Sequence, residues 1–152
     1  MIDFCILGSG LSGSRIANLL NRNYSIEVID KAKGIGGRSS VKKFGKSVTF
    51  DHGLQYYSPK DTQFKQFIKK LIKKRILKLW NGNHLDFTFK NRENFHKVIG
   101  IKGNNDLNKF LLKKIKKNFN QQITNIRFNK THWDIYGKNS NFKAKSIIIS
   151  FP

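Results

Sequence analysis

The chain has 152 residues, enough for one domain with a sizeable core, and no run of about twenty apolar residues that could span a bilayer. Thirty Lys and Arg against nine Asp and Glu give a net charge of +21, but the lysines are dispersed, with no basic arm and no recognisable nucleic-acid module. A solvated basic surface is therefore preferred to a nucleic-acid or membrane partner. Cys5, the only cysteine, excludes an internal disulfide and a cysteine-based zinc site, no metal site is expected, and an N-terminus without a basic n-region leaves the cytoplasm as the default location.

The first element is an apolar run, Ile2, Phe4, Cys5, Ile6 and Leu7, as expected of a parallel strand buried on both faces. Cys5 reads as an inert core thiol. Gly8-Ser9-Gly10-Leu11-Ser12-Gly13 follows at the spacing G-x-G-x-x-G. Gly8 suits the tight turn, Gly10 a close approach of backbone to a pyrophosphate, and Gly13 the packing of the next helix on the strand. That helix buries Leu11, Ile16, Ala17, Leu19 and Leu20 and aims its free N-terminal N–H groups at the phosphates. Tyr24 to Ile29 is the second strand, ending at Asp30, where a carboxylate would accept from a ribose hydroxyl. Read this way, Gly8, Ser9, Gly10, Leu11, Gly13, Asp30 and the adjoining Lys31 form a dinucleotide site, and the pattern alone does not say which dinucleotide.

Gly34-Ile35-Gly36-Gly37-Arg38 comes next, and Phe50-Asp51-His52-Gly53-Leu54-Gln55-Tyr56-Tyr57 lies further on. The first, with Asp30 before it, resembles the acid-x-x-x-G-x-G-G-R turn of the flavin amine oxidase superfamily. The second resembles the DHGAQYF segment of its renalase-like NAD(P)/FAD-dependent oxidoreductases, with Leu54 and Tyr57 as mild departures. The resemblance implies an α/β fold: a Rossmann-like FAD/NAD(P)-binding domain with a parallel sheet and a partial antiparallel substrate insert. It further implies FAD as cofactor and assigns Gly36, Gly37 and Arg38 to its diphosphate. Asp51, His52, Gly53, Gln55 and Tyr56 then border the flavin, with Gly53 removing a side chain where the ring system approaches. His52 is the candidate acid or base, its ordinary pKa suiting proton transfer near neutrality, although a structural histidine fits the same position.

Ser39–Lys43 and Ser47–Asp51 suggest a hairpin around Phe44-Gly45-Lys46. After Pro59, Asp61 or Thr62 caps a helix to about Lys74 with Phe64, Phe67, Ile68, Leu71 and Ile72 on one face. Ile76–Trp80 and Leu85–Phe89 read as strands joined at Asn81-Gly82-Asn83-His84, with Phe95–Ile99 a third strand. Trp80 suits core or substrate wall, core being preferred. Gly100-Ile101-Lys102-Gly103-Asn104 corresponds to a GxxGM turn in the family resembled, with Asn104 in place of the methionine.

Asn105 or Asp106 is expected to cap a second amphipathic helix bearing Leu107, Phe110, Leu111 and Ile115 and running through the lysines to Lys117. Gln121–Arg127, an arm around Trp133–Tyr136, a Gly137 turn and Asn141–Lys145 follow as strands. Ser146–Ser150 is apolar enough to lie inside the parallel sheet, with Phe151-Pro152 after it. The nucleotide-binding unit is expected to be discontinuous, about 1–57 and 105–152, with 58–104 an insert, all within one domain over 1–152. Against the family resembled, the chain corresponds to the N-terminal half. The expected function is hydride transfer from a small reduced substrate, a reduced nicotinamide nucleotide or an amine, to FAD. The alternatives are a non-catalytic or split half joined by a second chain carrying the remainder, or a basic binding protein.

Overall fold

The computed structural model describes residues 1–45, 48–81 and 97–151. Its centre is a six-stranded sheet in the order β7 (Lys116–Asn118), β2 (Ile26–Ile29), β1 (Ile2–Leu7), β10 (Asn141–Ile149), β9 (Trp133–Gly137), β8 (Ile123–Phe128). Strands β1 and β2 run parallel to each other, as do β2 with β7 and β1 with β10. β8 and β9 extend the sheet antiparallel beyond β10. Two-stranded ribbons are made by β3 (Val41–Phe44) with β4 (Val48–Asp51) and by β5 (Leu77–Leu79) with β6 (Val98–Gly100).

Alternation across the pleat gives each face of the sheet its own core. Ile6, Val28 and Ile26 pack under helix α1 (Leu11–Leu20), with Ala17, Leu112 and Ile115. Cys5, Leu7 and Ile29 point the other way, onto Ile135 and Ala144 with Trp133 and Phe142 alongside. Burial, with Glu27 adding its charge, pushes the Cys5 thiol up to about 12, in keeping with an inert core residue. A third cluster joins helix α2 (Thr62–Lys73), through Ile68 and Leu71, to Tyr57, Leu77, Val98 and the Leu107 and Leu111 side chains of α3 (Asp106–Leu111). Asp61 caps α2 by accepting from the Phe64 N–H at 2.9 Å. No described helix is long and apolar enough to cross a membrane.

Several expectations need correction. β2 starts at Ile26, because Ser25 turns its N–H and Oγ onto the Asp3 carboxylate, and Tyr24 bonds back to Leu20 and packs edge-on against Phe4. Leu19 is 46% exposed and not part of the buried side of α1. The second amphipathic helix stops at Leu111, and neither Asn105 nor Asp106 caps it with a side chain; the Asp106 carboxylate accepts from the Lys102 N–H instead. Leu112 and Ile115 turn inward, the Lys117 ammonium donates to both their carbonyls, and residues 116–118 become the edge strand β7. Asn141–Lys145 and Ser146–Ser150 are parts of one strand: the start of β10 pairs antiparallel with β9, and the stretch from Ala144 onward pairs parallel with β1. The ribbon partner of β5 is β6; Leu85–Phe89, the turn residues 82–84 and Phe95 lie outside the described residues.

Candidate functional site

The loop after β1 is built from outside contacts as much as from its own glycines. Gly8 turns at φ +107 and donates its N–H to Ile29 at 2.8 Å. A Cβ on Gly13 would run into the Gly8 carbonyl oxygen and lie 2.5 Å from Ser150 Oγ, so only glycine lets α1 descend onto β1 there. Ser150 matches by being small, and its hydroxyl is shared between the carbonyls of Leu7 and Gly8 at 3.0 and 3.1 Å. Gly10 differs: a Cβ there would meet nothing within 4 Å. It is the N-cap of α1 and supplies no side-chain acceptor, so the first-turn N–H groups and the positive end of the helix open onto that space.

Asp30, at the end of β2, closes over this loop. One of its oxygens accepts from the Ser9 N–H at 2.7 Å and the Ser9 hydroxyl at 2.6 Å, and the other from the Ala32 N–H at 2.9 Å. A carboxylate has about four acceptor positions, so three donors leave room for one more, such as a ribose hydroxyl. Gly36 and Gly37, the latter opening the 3₁₀ turn Gly37–Ser39, bring the second loop alongside: a Cβ on Gly37 would stand 3.0 Å from the Gly10 Cα. The loop read from its glycine spacing and the loop read from the family resemblance therefore touch at these glycines. Lys31 and Arg38 are exposed and pair with no carboxylate among the described residues, leaving both charges available to an anion.

Behind the loops lies a buried polar group that sequence reasoning missed. Asn108, fully buried on α3, donates to the Ser9 carbonyl and to Ser14 Oγ, each at 3.1 Å, and accepts from Ser39 Oγ at 2.8 Å. Ser14 Oγ also reaches the Ser9 carbonyl, at 3.1 Å. In the sequence Asn108 is one polar residue among the apolar ones of α3, and its place on their face is the one signal that could have pointed to it.

The Asp51–Tyr57 segment is tied down mainly by Asn104. This buried residue donates its amide N–H to Asp51 at 2.7 Å and its carboxamide to the carbonyls of Leu54 and Gln55 at 2.7 and 2.9 Å. Its side-chain oxygen accepts from the Gly100 N–H at 2.9 Å, and its carbonyl accepts from the Tyr57 hydroxyl at 2.6 Å. Burial pushes the Tyr57 phenol up to about 12, so it remains a proton donor. Gly53 does not clear space for a ring system: a Cβ there would collide with the Arg38 carbonyl, which also accepts from the Leu54 N–H at 2.8 Å. Gly53 thus docks this segment on the Gly36-Gly37-Arg38 turn. His52 is exposed, with Ser40 Oγ 3.5 Å from its Nε2. Gln55 is exposed beside Tyr56, whose ring centroid lies 5.8 Å from that of Trp80. Trp80 is 38% exposed, which corrects the preference for core, and Lys97 sets its ammonium 4.5 Å from the Tyr56 ring.

Two touching glycine turns, a free helix N-terminus and a carboxylate at the end of the second strand are what a dinucleotide diphosphate and its ribose require. Residues 6–71 match the family model of the NAD(P)-binding Rossmann-like domain. The chain has the Rossmann-like fold of dinucleotide-binding domains. A cofactor-redesigned putrescine oxidase superposes with a TM-score of 0.76 at 10% identity, over 99% of this chain and 58% of that one. A CLA-producing fatty acid isomerase from P. acnes gives 0.71 at 8%, over 99% and 59%. Tetracycline destructase Tet(51) gives 0.61 at 14%, over 97% and 38%. At such identities the likeness is one of fold, and the chain spans well under two thirds of each of these proteins.

Proposed function

We propose that this domain binds FAD and forms the cofactor-holding part of a flavin-dependent oxidoreductase of the renalase-like, amine oxidase type. The observation that carries the reading is the pairing of the open Gly10 turn with Gly37 directly against it, beside an Asp30 carboxylate that keeps one acceptor position. In this reading the N-terminus of α1 and the two loops hold the diphosphate, Asp30 takes an adenosine ribose hydroxyl, and Arg38 offsets phosphate charge. FAD held there would supply the redox chemistry of a hydride transfer from a small reduced substrate. The chain's own contribution is to bind and orient it; the Asp51–Tyr57 segment, braced by Asn104, presents His52, Gln55 and Tyr56 beside the Arg38 turn. A reduced nicotinamide nucleotide and an amine are the two substrate classes the resemblance supports.

A second reading follows from the length relation to the superposed enzymes. The remaining share of such folds would complete the substrate side, and turnover is proposed for that whole, whether the remainder is joined in one polypeptide or comes from a second chain. Titration of the folded protein with FAD, followed by flavin absorbance and fluorescence, separates the cofactor question from turnover. Saturable uptake that NADP does not displace supports FAD. A protein that is folded by circular dichroism yet takes up no FAD and is saturated by NADP would replace it with a nicotinamide nucleotide.

A further inference from the structure

We infer that Asn108 is the positioning residue of the dinucleotide site, one buried carboxamide that holds the Ser9–Gly10 peptide directly and is tied to the Gly36–Gly37 peptide through the Ser39 hydroxyl. The inference rests on the dinucleotide reading above and goes beyond it by assigning the device that aims the site. In a planar trans peptide the C=O and the following N–H point in opposite directions. The Ser9 carbonyl is drawn inward by Asn108 Nδ2 and Ser14 Oγ, both on fully buried residues, so the Gly10 N–H faces the opposite way, on a residue whose Cβ would meet nothing within 4 Å. The Gly36 carbonyl is held in the same way, by the Ser39 N–H at 3.0 Å and by the Ser39 hydroxyl at 2.8 Å, which turns the Gly37 N–H out beside it. The Ser39 hydroxyl has one proton, shared between the Gly36 carbonyl and Asn108 Oδ1. Neither glycine N–H is spent on a protein acceptor among the described residues.

Asn108 is thus common to both loops, and its bonding fixes its orientation. Exchanging its oxygen and nitrogen would set two carbonyl oxygens against each other at Ser9. Its role is not the support of its own helix. All three side-chain bonds run to residues 69 to 99 positions away, while α3 is secured separately by Leu107 and Leu111 in the core and by the Asn18 carboxamide on the Leu111 carbonyl at 3.0 Å. A fully buried amide among leucines costs stability unless every group is bonded. This one spends its bonds on the two loops that face the cofactor.

Amide hydrogen exchange of the FAD-free protein tests the clamp without depending on any ligand. In Asn108→Ala the bonded N–H groups of Ser9 and Ser14 and those of Ser39 and Ser40 should exchange faster together, by about tenfold, while Ile135 in β9 keeps its wild-type rate. Ser39→Ala, which removes one arm and leaves the Ser9 arm in place, should speed only Ser39 and Ser40. Unchanged exchange in either loop of Asn108→Ala, or acceleration shared evenly with β9 in both variants, overturns the inference. In a parallel FAD titration Asn108→Ala should bind about tenfold more weakly than wild type, and equal affinity also overturns it. A wild-type protein that binds no FAD would instead remove the cofactor reading, with the exchange result still deciding whether Asn108 clamps the loops.

Discussion

Two glycine-spaced turns look alike in the sequence and serve opposite ends in the structure. In Gly8-Ser9-Gly10-Leu11-Ser12-Gly13 the middle glycine faces open space, and the outer two make room for Ser150 and for the strand beneath α1. In Gly100-Ile101-Lys102-Gly103-Asn104 both glycines are filled in from the protein's own side. A Cβ on Gly100 would meet the Gly103 carbonyl, and one on Gly103 would lie 2.5 Å from Val41 Cγ2. The difference teaches that spacing identifies a tight turn, and the contents of the missing side-chain volume identify its use. Empty volume beside a helix N-terminus is room for a ligand; occupied volume is packing.

The largest effect should therefore come from the second turn. Gly100→Ala forces a methyl into backbone that Asn104 already pins through Gly100, Leu54 and Gln55, so the turn cannot slide aside without losing buried hydrogen bonds. A loss of about 3 kcal/mol is expected, measured as a lower urea midpoint at unchanged slope. A loss below about 1 kcal/mol would mean the turn yields easily, and the contrast between the two turns would fail.

What the sequence made legible follows the same division. The β1-turn-α1 unit and the Ser146–Ser150 run could be read because backbone requirements and burial dictate residue type there: apolar on two-sided strands, glycine where strand and helix meet. β7 could not, because Lys116-Lys117-Asn118 is an edge strand with no apolar pattern, and a lysine-rich helix continuing from Leu111 fits the local residues equally well. Asn104 and Asn108 were illegible for another reason. A buried amide is defined by partners far away in the chain, so Asn104 registered only as a departure from a methionine and Asn108 not at all. Gly53 shows the limit from the other side: its small size was rightly taken as meaningful, but the neighbour needing the room is Arg38.

Gly10→Ala should cost no more than about 1 kcal/mol of folding stability, because alanine is the poorer N-cap while the position has an ordinary φ of −65 and its Cβ meets nothing. The same methyl would project into the volume proposed for the diphosphate and lower FAD affinity about tenfold, some 1.4 kcal/mol, in a fluorescence titration. Equal affinity would show that the diphosphate does not lie over Gly10.

Gly34 supplies the matching control and the smallest effect. It precedes the Gly36-Gly37 turn, a Cβ there also meets nothing within 4 Å, and it lies outside the part of that turn that touches Gly10. If open volume alone marked a ligand site, Gly34→Ala would weaken FAD binding as Gly10→Ala does. If the helix N-terminus and the touching loops are required as well, affinity should stay at the wild-type value. Stability should then rise by about 0.5 kcal/mol, because alanine restricts the unfolded chain at a position whose native backbone it can adopt. Thermal melts and FAD titrations on Gly10→Ala and Gly34→Ala together thus test whether emptiness or emptiness at a helix N-terminus is what the cofactor reads.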